Sequence, residues 1–289
     1  MRNKYRLSSS VYERETDEEQ IAPRKIYFIS VEGNITEKEY FRGVSQYRGK
    51  LGIAAVVDVE ILDRSSQDNN SAPDAVLELL EEYIRLRGRE DLKQDIPLDF
   101  IEKYGTEFIK KYFSIPDELP KKKKNEFVND LKTVGYDIQY RKYLKKYDSE
   151  LDEFCLFIDR DAETHSKESI IQIINHCKKK KYRFFMANPC FEFWLLLHLV
   201  DVENTYADKM NCIKENKKVS KQHTFVSNEV SEYARHGKKK INFKKNYLPN
   251  IKFAIRQAKQ FCYSEDDLID HIGCNLWILL DEMMNHSKL

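Results

Sequence analysis

The chain has 289 residues, 41% of them hydrophobic and 12% aromatic, enough for a sizeable core in one large or two small domains. Its 49 basic and 48 acidic residues leave a formal charge of +1, so any nucleic-acid surface must come from local clustering and not from global charge. Six scattered cysteines with no Cys-x-x-Cys spacing exclude a disulfide framework and a zinc site, and the lack of a signal peptide or a membrane-length apolar run predicts a cytoplasmic protein with no membrane contact.

Residues 1–23 are polar, with Arg2, Lys4 and Arg6 ahead of an acidic stretch, and read as a flexible arm. Lys25–Val31 is apolar and aromatic and predicts a strand. Glu32 and Gly33 follow, the glycine permitting a tight turn, and Thr36 with Glu39 three residues on predicts a capped helix over 36–48. Glu32 is either a sheet-edge ligand or a solvated loop acid. Glu37 is either a metal ligand or a first-turn acid stabilised by the helix dipole. Residues 53–62 are rich in β-branched side chains and predict a second strand, with the polar loop Ser65–Ser71 at the active edge of the sheet. Val76, Leu79, Leu80 and Tyr83 then recur at helical spacing.

Residues 90–150 break the alternation with three prolines, the run Lys121–Lys124 and a tyrosine-rich basic stretch, 140–147, that includes Arg141. They predict a mostly helical insertion. The interleaved stretch suits phosphate contact and base stacking, or else is a solvated amphipathic helix.

Phe154–Ile158 is an unbroken apolar run leading into Asp159 and Asp161, the pattern of a buried parallel strand. Ligands of open parallel sheets bind at the carboxyl ends of strands. Side-chain alternation places both carboxylates on one side, where they repel each other unless a cation lies between them. All-oxygen ligation suits Mg²⁺ or Mn²⁺. The plainer alternative is that Asp159 caps the next helix or pairs with Arg160.

A helix from Ser169 to Lys179 follows, closed by lysines that its dipole favours, then a fourth strand over 182–187. Pro189 suits the first position of the next helix, on which Phe191, Trp194, Leu195 and His198 share a face. Glu192 lies near that helix's start, toward the same edge as the aspartates, or is a dipole cap. His198 reads as a satisfied core histidine. Beyond residue 200 the chain is helical and basic, with Lys214, Lys217, Lys218 and Lys221, then Lys238, Lys239, Lys240, Lys244 and Lys245 with Phe243 and Tyr247 interleaved. Amphipathic helices over 251–262 and 270–284 end the sequence.

Glu32-Gly33 after a first strand and Asp159-x-Asp161 after a later one resemble the topoisomerase-primase (Toprim) domain. More narrowly, Val31–Phe41, Phe157–His165 and Asn188–His198, in that order, resemble the RloB-like family. The likeness spans about residue 24 to the C-terminus and leaves 90–150 unmatched. It implies a bacterial anti-phage or abortive-infection context, a Mg²⁺-dependent nuclease, and a separate ABC- or AAA-type ATPase partner.

Together these readings predict an α/β, Toprim-like (Rossmann-like) fold. A mostly parallel four-stranded sheet flanked by helices forms the core, from 24–89 and 151–200, with a helical insertion at 90–150 and a basic helical region at 201–289. The expected catalytic set is Glu32, Asp159, Asp161 and Glu192, and the expected metal set is Glu32, Asp159, Asp161 and Glu37. Lys238, Lys239, Lys240, Lys244, Lys245 and Arg141 are the expected nucleic-acid contacts. No Ser-His-Asp pattern or phosphate-cradling glycine loop competes, so an ATPase would be another chain. The alternative is a non-catalytic subunit that binds nucleic acid or the ATPase. A strand-transfer or primase-like activity ranks third, and homo-oligomerisation stays open.

Overall fold

In the computed structural model the described residues are 25–33, 35–53, 57–61, 76–77, 81, 98–114, 118–133, 151–234 and 241–285. The N-terminal arm, the loop 65–71, the stretch 140–147 with Arg141, and Lys238, Lys239 and Lys240 lie outside them.

The core is an α/β sheet with strand order β2-β1-β3-β4-β5. β1 (Lys25–Val31), β2 (Val57–Ile61), β3 (Glu153–Asp159) and β4 (Arg183–Asn188) run parallel. The fifth strand, β5 (Gly273–Cys274), has two residues and pairs antiparallel with the end of β4. It is too short to show period-two alternation, so nothing in the sequence marks it. The described part of the second strand is Val57–Ile61, and β3 takes the middle of the sheet, as its unbroken apolar sequence requires.

The pleat divides the core in two. Tyr27, Ile29, Val31, Cys155, Phe157, Phe185 and Ala187 face one side. There they meet α1 (Thr36–Gln46) and α7 (Phe191–Leu199), the latter backed by α10 (Phe225–Ala234) and α11 (Ile251–Ala258). Phe28, Phe154, Leu156, Ile158, Phe184 and Met186 face the other side, against Ile170, Ile173, Ile174 and Cys177 of α6 (Lys167–Lys180). Apolar strands buried on both faces explain why β1, β3 and β4 read as continuous runs.

Two local expectations need correction. Thr36 does not cap α1: the cap position is Ile35, without a side-chain hydrogen bond, and Glu39 Oε2 accepts from the backbone N–H of Ile241 (2.9 Å). Pro189 is not the first residue of α7. It follows a cis peptide bond after Asn188, Cys190 takes the cap position, and the helix starts at Phe191.

The short α2 (Arg48–Leu51) lies between α1 and β2, and α3 (Leu98–Tyr104), α4 (Thr106–Ser114) and α5 (Lys121–Thr133) lie between β2 and β3. Their Tyr104, Phe108, Ile109, Tyr112 and Phe127 form a cluster of their own. The described residues of 90–150 are mostly helical, and none pairs into the sheet. After α7 come α8 (Val202–Thr205), α9 (Met210–Glu215), α10 and α11, with α12 (Leu276–Asn285) last.

Candidate functional site

The order β2-β1-β3-β4 means that the chain leaves β1 toward one edge and β3 toward the other. The crossovers diverge at the carboxyl ends of β1 and β3, the position where ligands enter such sheets. Glu32 and Asp159 stand there, one just past β1 and the other at the last position of β3. They are in direct contact: the backbone N–H of Asp159 donates to Glu32 Oε2 at 3.0 Å.

The pleat decides which acids join them. Residues 155, 157 and 159 point to the face covered by α1 and α7, so the Asp159 carboxyl looks toward the starts of both helices. Glu37 in the first turn of α1 and Glu192 in the first turn of α7 stand there. Glu37 is only 7% exposed. Its carboxylate folds back over Gly33 so closely that a Cβ at residue 33 would lie 1.8 Å from Glu37 Oε2. A side chain at residue 33 would have to push that carboxylate aside.

Electrostatics ties the four acids together. Burial, followed by the charges of Glu37, Glu32 and Glu192, pushes the Asp159 carboxyl well above the usual carboxylate range, partly offset by the N–H of Phe191. Burial and then Glu192 push Glu37 up to about 7, with a smaller contribution from Glu32 and an opposing one from its own and the Gly33 backbone N–H. Asp159 Oδ1 is buried without a hydrogen-bond partner. An orphaned buried carboxylate oxygen among three further carboxylates is an unfavourable arrangement unless a proton or a cation completes it. The donor set is all oxygen and suits a hard cation. Among the described residues no three acids, histidines or cysteines already surround one ion position. Glu32 and Glu37 are turned to the protein's own N–H groups and to His165, so the acids fit a cation by chemistry and proximity and would have to turn to hold one.

Asp161 sits apart. β3 ends at Asp159, so strand alternation no longer governs residue 161. Its side chain is exposed on the following turn, where Oδ1 accepts from the Glu163 N–H (3.3 Å). Its charge is felt by His165. Asp161 is therefore at the rim of the group. Arg160, the partner of Asp159 in the plainer alternative, points to the opposite face and donates to the carbonyls of Ile269 and His165, each at 2.8 Å.

His165 is the residue that sequence reasoning passed over. Its Nε2 lies 3.1 Å from Glu32 Oε1, and that hydrogen bond, against a smaller effect of burial, raises the imidazole above its ordinary value. The signal was present as a histidine six positions after Asp159 in an otherwise polar turn, but nothing in the sequence shows that the turn folds back to β1. Asn188 is an anchor: its Nδ2 donates to the Leu268 carbonyl at 2.7 Å. His198 is a core histidine. Its Nδ1 donates to the Trp194 carbonyl (2.9 Å), Tyr40 Oη is 3.2 Å from Nε2, and burial lowers its pKa to about 3.

Of the expected nucleic-acid contacts, Lys244 and Lys245 are described and exposed, on the turn Phe243–Tyr247. That turn docks on α1, where Phe243 covers Gly43.

A family model described as RloB-like protein matches residues 27–283. No curated protein and no solved structure matches the chain. No helix among the described residues is long and apolar enough to cross a membrane.

Proposed function

The chain belongs to the RloB-like family, and from that premise we propose that it is a Mg²⁺-dependent nuclease that hydrolyses phosphodiesters of DNA or RNA. The observation that carries this reading is the orphaned Oδ1 of Asp159, buried among Glu32, Glu37 and Glu192 where the crossovers diverge. A protein that only bound a polyanion would gain nothing from four acids at its ligand edge.

In this reading Asp159 and Glu32 are the principal ligands, and Glu37 and Glu192 complete the charge. A bound Mg²⁺ or Mn²⁺ supplies Lewis-acid polarisation of the phosphodiester and a more acidic water. The protein's own residues do the rest. The Asp159 N–H fixes one oxygen of Glu32, and His165 fixes the other. Asp161 at the rim adds negative charge near His165. The biological setting we propose is a bacterial anti-phage or abortive-infection system with a separate ATPase chain, as the family resemblance implies.

The test is incubation of the purified chain with plasmid, single strands and bulk tRNA, in Mg²⁺, Mn²⁺ or EDTA, alone and with any ATPase encoded beside it. Metal-dependent cleavage by wild type and none by Asp159→Asn supports the reading. Equal cleavage by both makes the acids structural. Absence of cleavage by either, with binding to the ATPase retained, replaces the nuclease by a binding subunit.

A further inference from the structure

The loop between α9 and α10 is short, basic and built. Over 214–224 it carries Lys214, Lys217, Lys218 and Lys221 against a single acid, Glu215. Lys217 engages that acid at 2.9 Å, so Lys218 and Lys221 have no acidic partner among the described residues. Both are exposed, as is Val219 at the tip (53%).

The loop does not depend on its lysine side chains for shape. Lys218 and Thr224 form an antiparallel bridge, the Val219 N–H donates to the His223 carbonyl (3.0 Å), and the Phe225 N–H donates to the Lys217 carbonyl (2.9 Å). Ser220 Oγ accepts from the His223 N–H at 3.1 Å. The ammonium groups are thus presented on a fixed frame.

One contact and one electrostatic influence place that frame beside the acids. Asn216 Oδ1 accepts from the Val226 N–H (2.9 Å), while its Nδ2 donates to the sulfur of Cys190 (3.3 Å), two residues before Glu192. On the other side Lys217 is held above its ordinary pKa by Glu215 first and, more distantly, by Glu163, in the turn that follows Asp161. The basic loop is therefore docked at the start of α7, at the carboxyl edge of the sheet, within electrostatic reach of the turn that follows Asp161.

Cations that flank but do not neutralise an acidic centre are suited to hold the phosphates on either side of the one that reacts. We propose that the 216–224 loop is a phosphate-guiding clamp, which binds nucleic-acid backbone through Lys218 and Lys221 and lays it across the acidic end of β1 and β3. This deepens the nuclease reading and rests on it for the identity of the ligand.

The test is binding of a labelled single strand and a duplex of the same sequence, measured by anisotropy across a salt series with Ca²⁺ in place of Mg²⁺. The variants are Lys218→Gln/Lys221→Gln and, as control, Lys179→Gln/Lys180→Gln, whose exposed lysines end α6 at the opposite edge of the sheet. Loss of two phosphate contacts should lower the slope of log K against log salt by about 1.4 for the single strand or about 1.8 for the duplex, and weaken binding on the order of tenfold. The control should bind as wild type. The proposal is overturned if the loop variant keeps the wild-type affinity and slope, if the control loses as much, or if wild type binds neither strand. Cleavage in Mn²⁺ by wild type, Asp159→Asn and the loop variant separates the two readings. A clamp that binds without metal-dependent cleavage refutes the nuclease alone, and cleavage unaffected by the loop variant refutes the clamp alone.

Discussion

Glu37→Gln isolates the electrostatic cost of the acid cluster. In the folded chain Glu37 titrates at about 7 and in an unfolded chain at 4.5. Below pH 4.5 the carboxyl is protonated in both states and has no effect. As pH rises from 4.5 to 7 the unfolded chain ionises while the folded chain keeps its proton, so stability falls. Above 7 the folded chain bears the full cost, about 3 kcal/mol for that displacement. Glutamine keeps the size of the protonated acid and cannot ionise. The variant should exceed wild type by about 1 kcal/mol at pH 5 and about 3 kcal/mol at pH 8 in denaturant-induced unfolding. Mg²⁺ should work in the opposite direction. Saturating ion should stabilise wild type at pH 8, by about 2.7 kcal/mol at a hundredfold excess over Kd, and the variant by less. A stability difference that is the same at pH 5 and pH 8 would refute the argument, because it would mean that the Glu37 carboxyl ionises as it does in water.

Asp159→Asn and Glu32→Gln should each abolish metal-dependent cleavage while circular dichroism stays native, and Asp159→Asn should raise stability at neutral pH; retained cleavage refutes the ligand assignment. Gly33→Ala forces the Glu37 carboxylate aside, since the added Cβ would lie 1.8 Å from its oxygen. It should cost about 1–3 kcal/mol of stability and weaken Mn²⁺ binding measured by calorimetry. The His165 imidazole should titrate above 6.5 by NMR, because its pairing with Glu32 is full below that value and lost as pH rises through the folded pKa. Glu32→Gln should return the titration toward 6.5, and no change on that substitution would sink the pairing.

The parallel core was legible because burial on both faces leaves an unbroken apolar run in β1, β3 and β4. Glu32 and Asp159 were legible for the same reason: an acid directly after such a run stands at the ligand edge. Asp161 was placed too close, because alternation was carried past the last residue of the strand. The partnership of Glu37 with Asp159 depends on a carboxylate folding back over Gly33, and the role of His165 on a turn returning to β1. Both are tertiary contacts that neither periodicity nor spacing encodes. The cap of α1 went to Ile35, and Glu39, half of the expected capping box, instead accepts from Ile241, two hundred residues downstream.

The short β5 and its neighbour Asn275 set an order of events. Asn275 Oδ1 accepts from the Met186 N–H at 2.7 Å, and its Nδ2 donates to the Phe184 carbonyl at 3.3 Å. They cover the outer edge of β4, the strand that leads into α7 and Glu192. During synthesis β4 emerges long before residue 275. At about 5–20 residues per second the nascent chain carries an open, strongly apolar strand edge for on the order of ten seconds. Such an edge is where another chain adds on, so ribosome-bound chains stalled before Asn275 should be the species that chaperones hold and that aggregates when they do not.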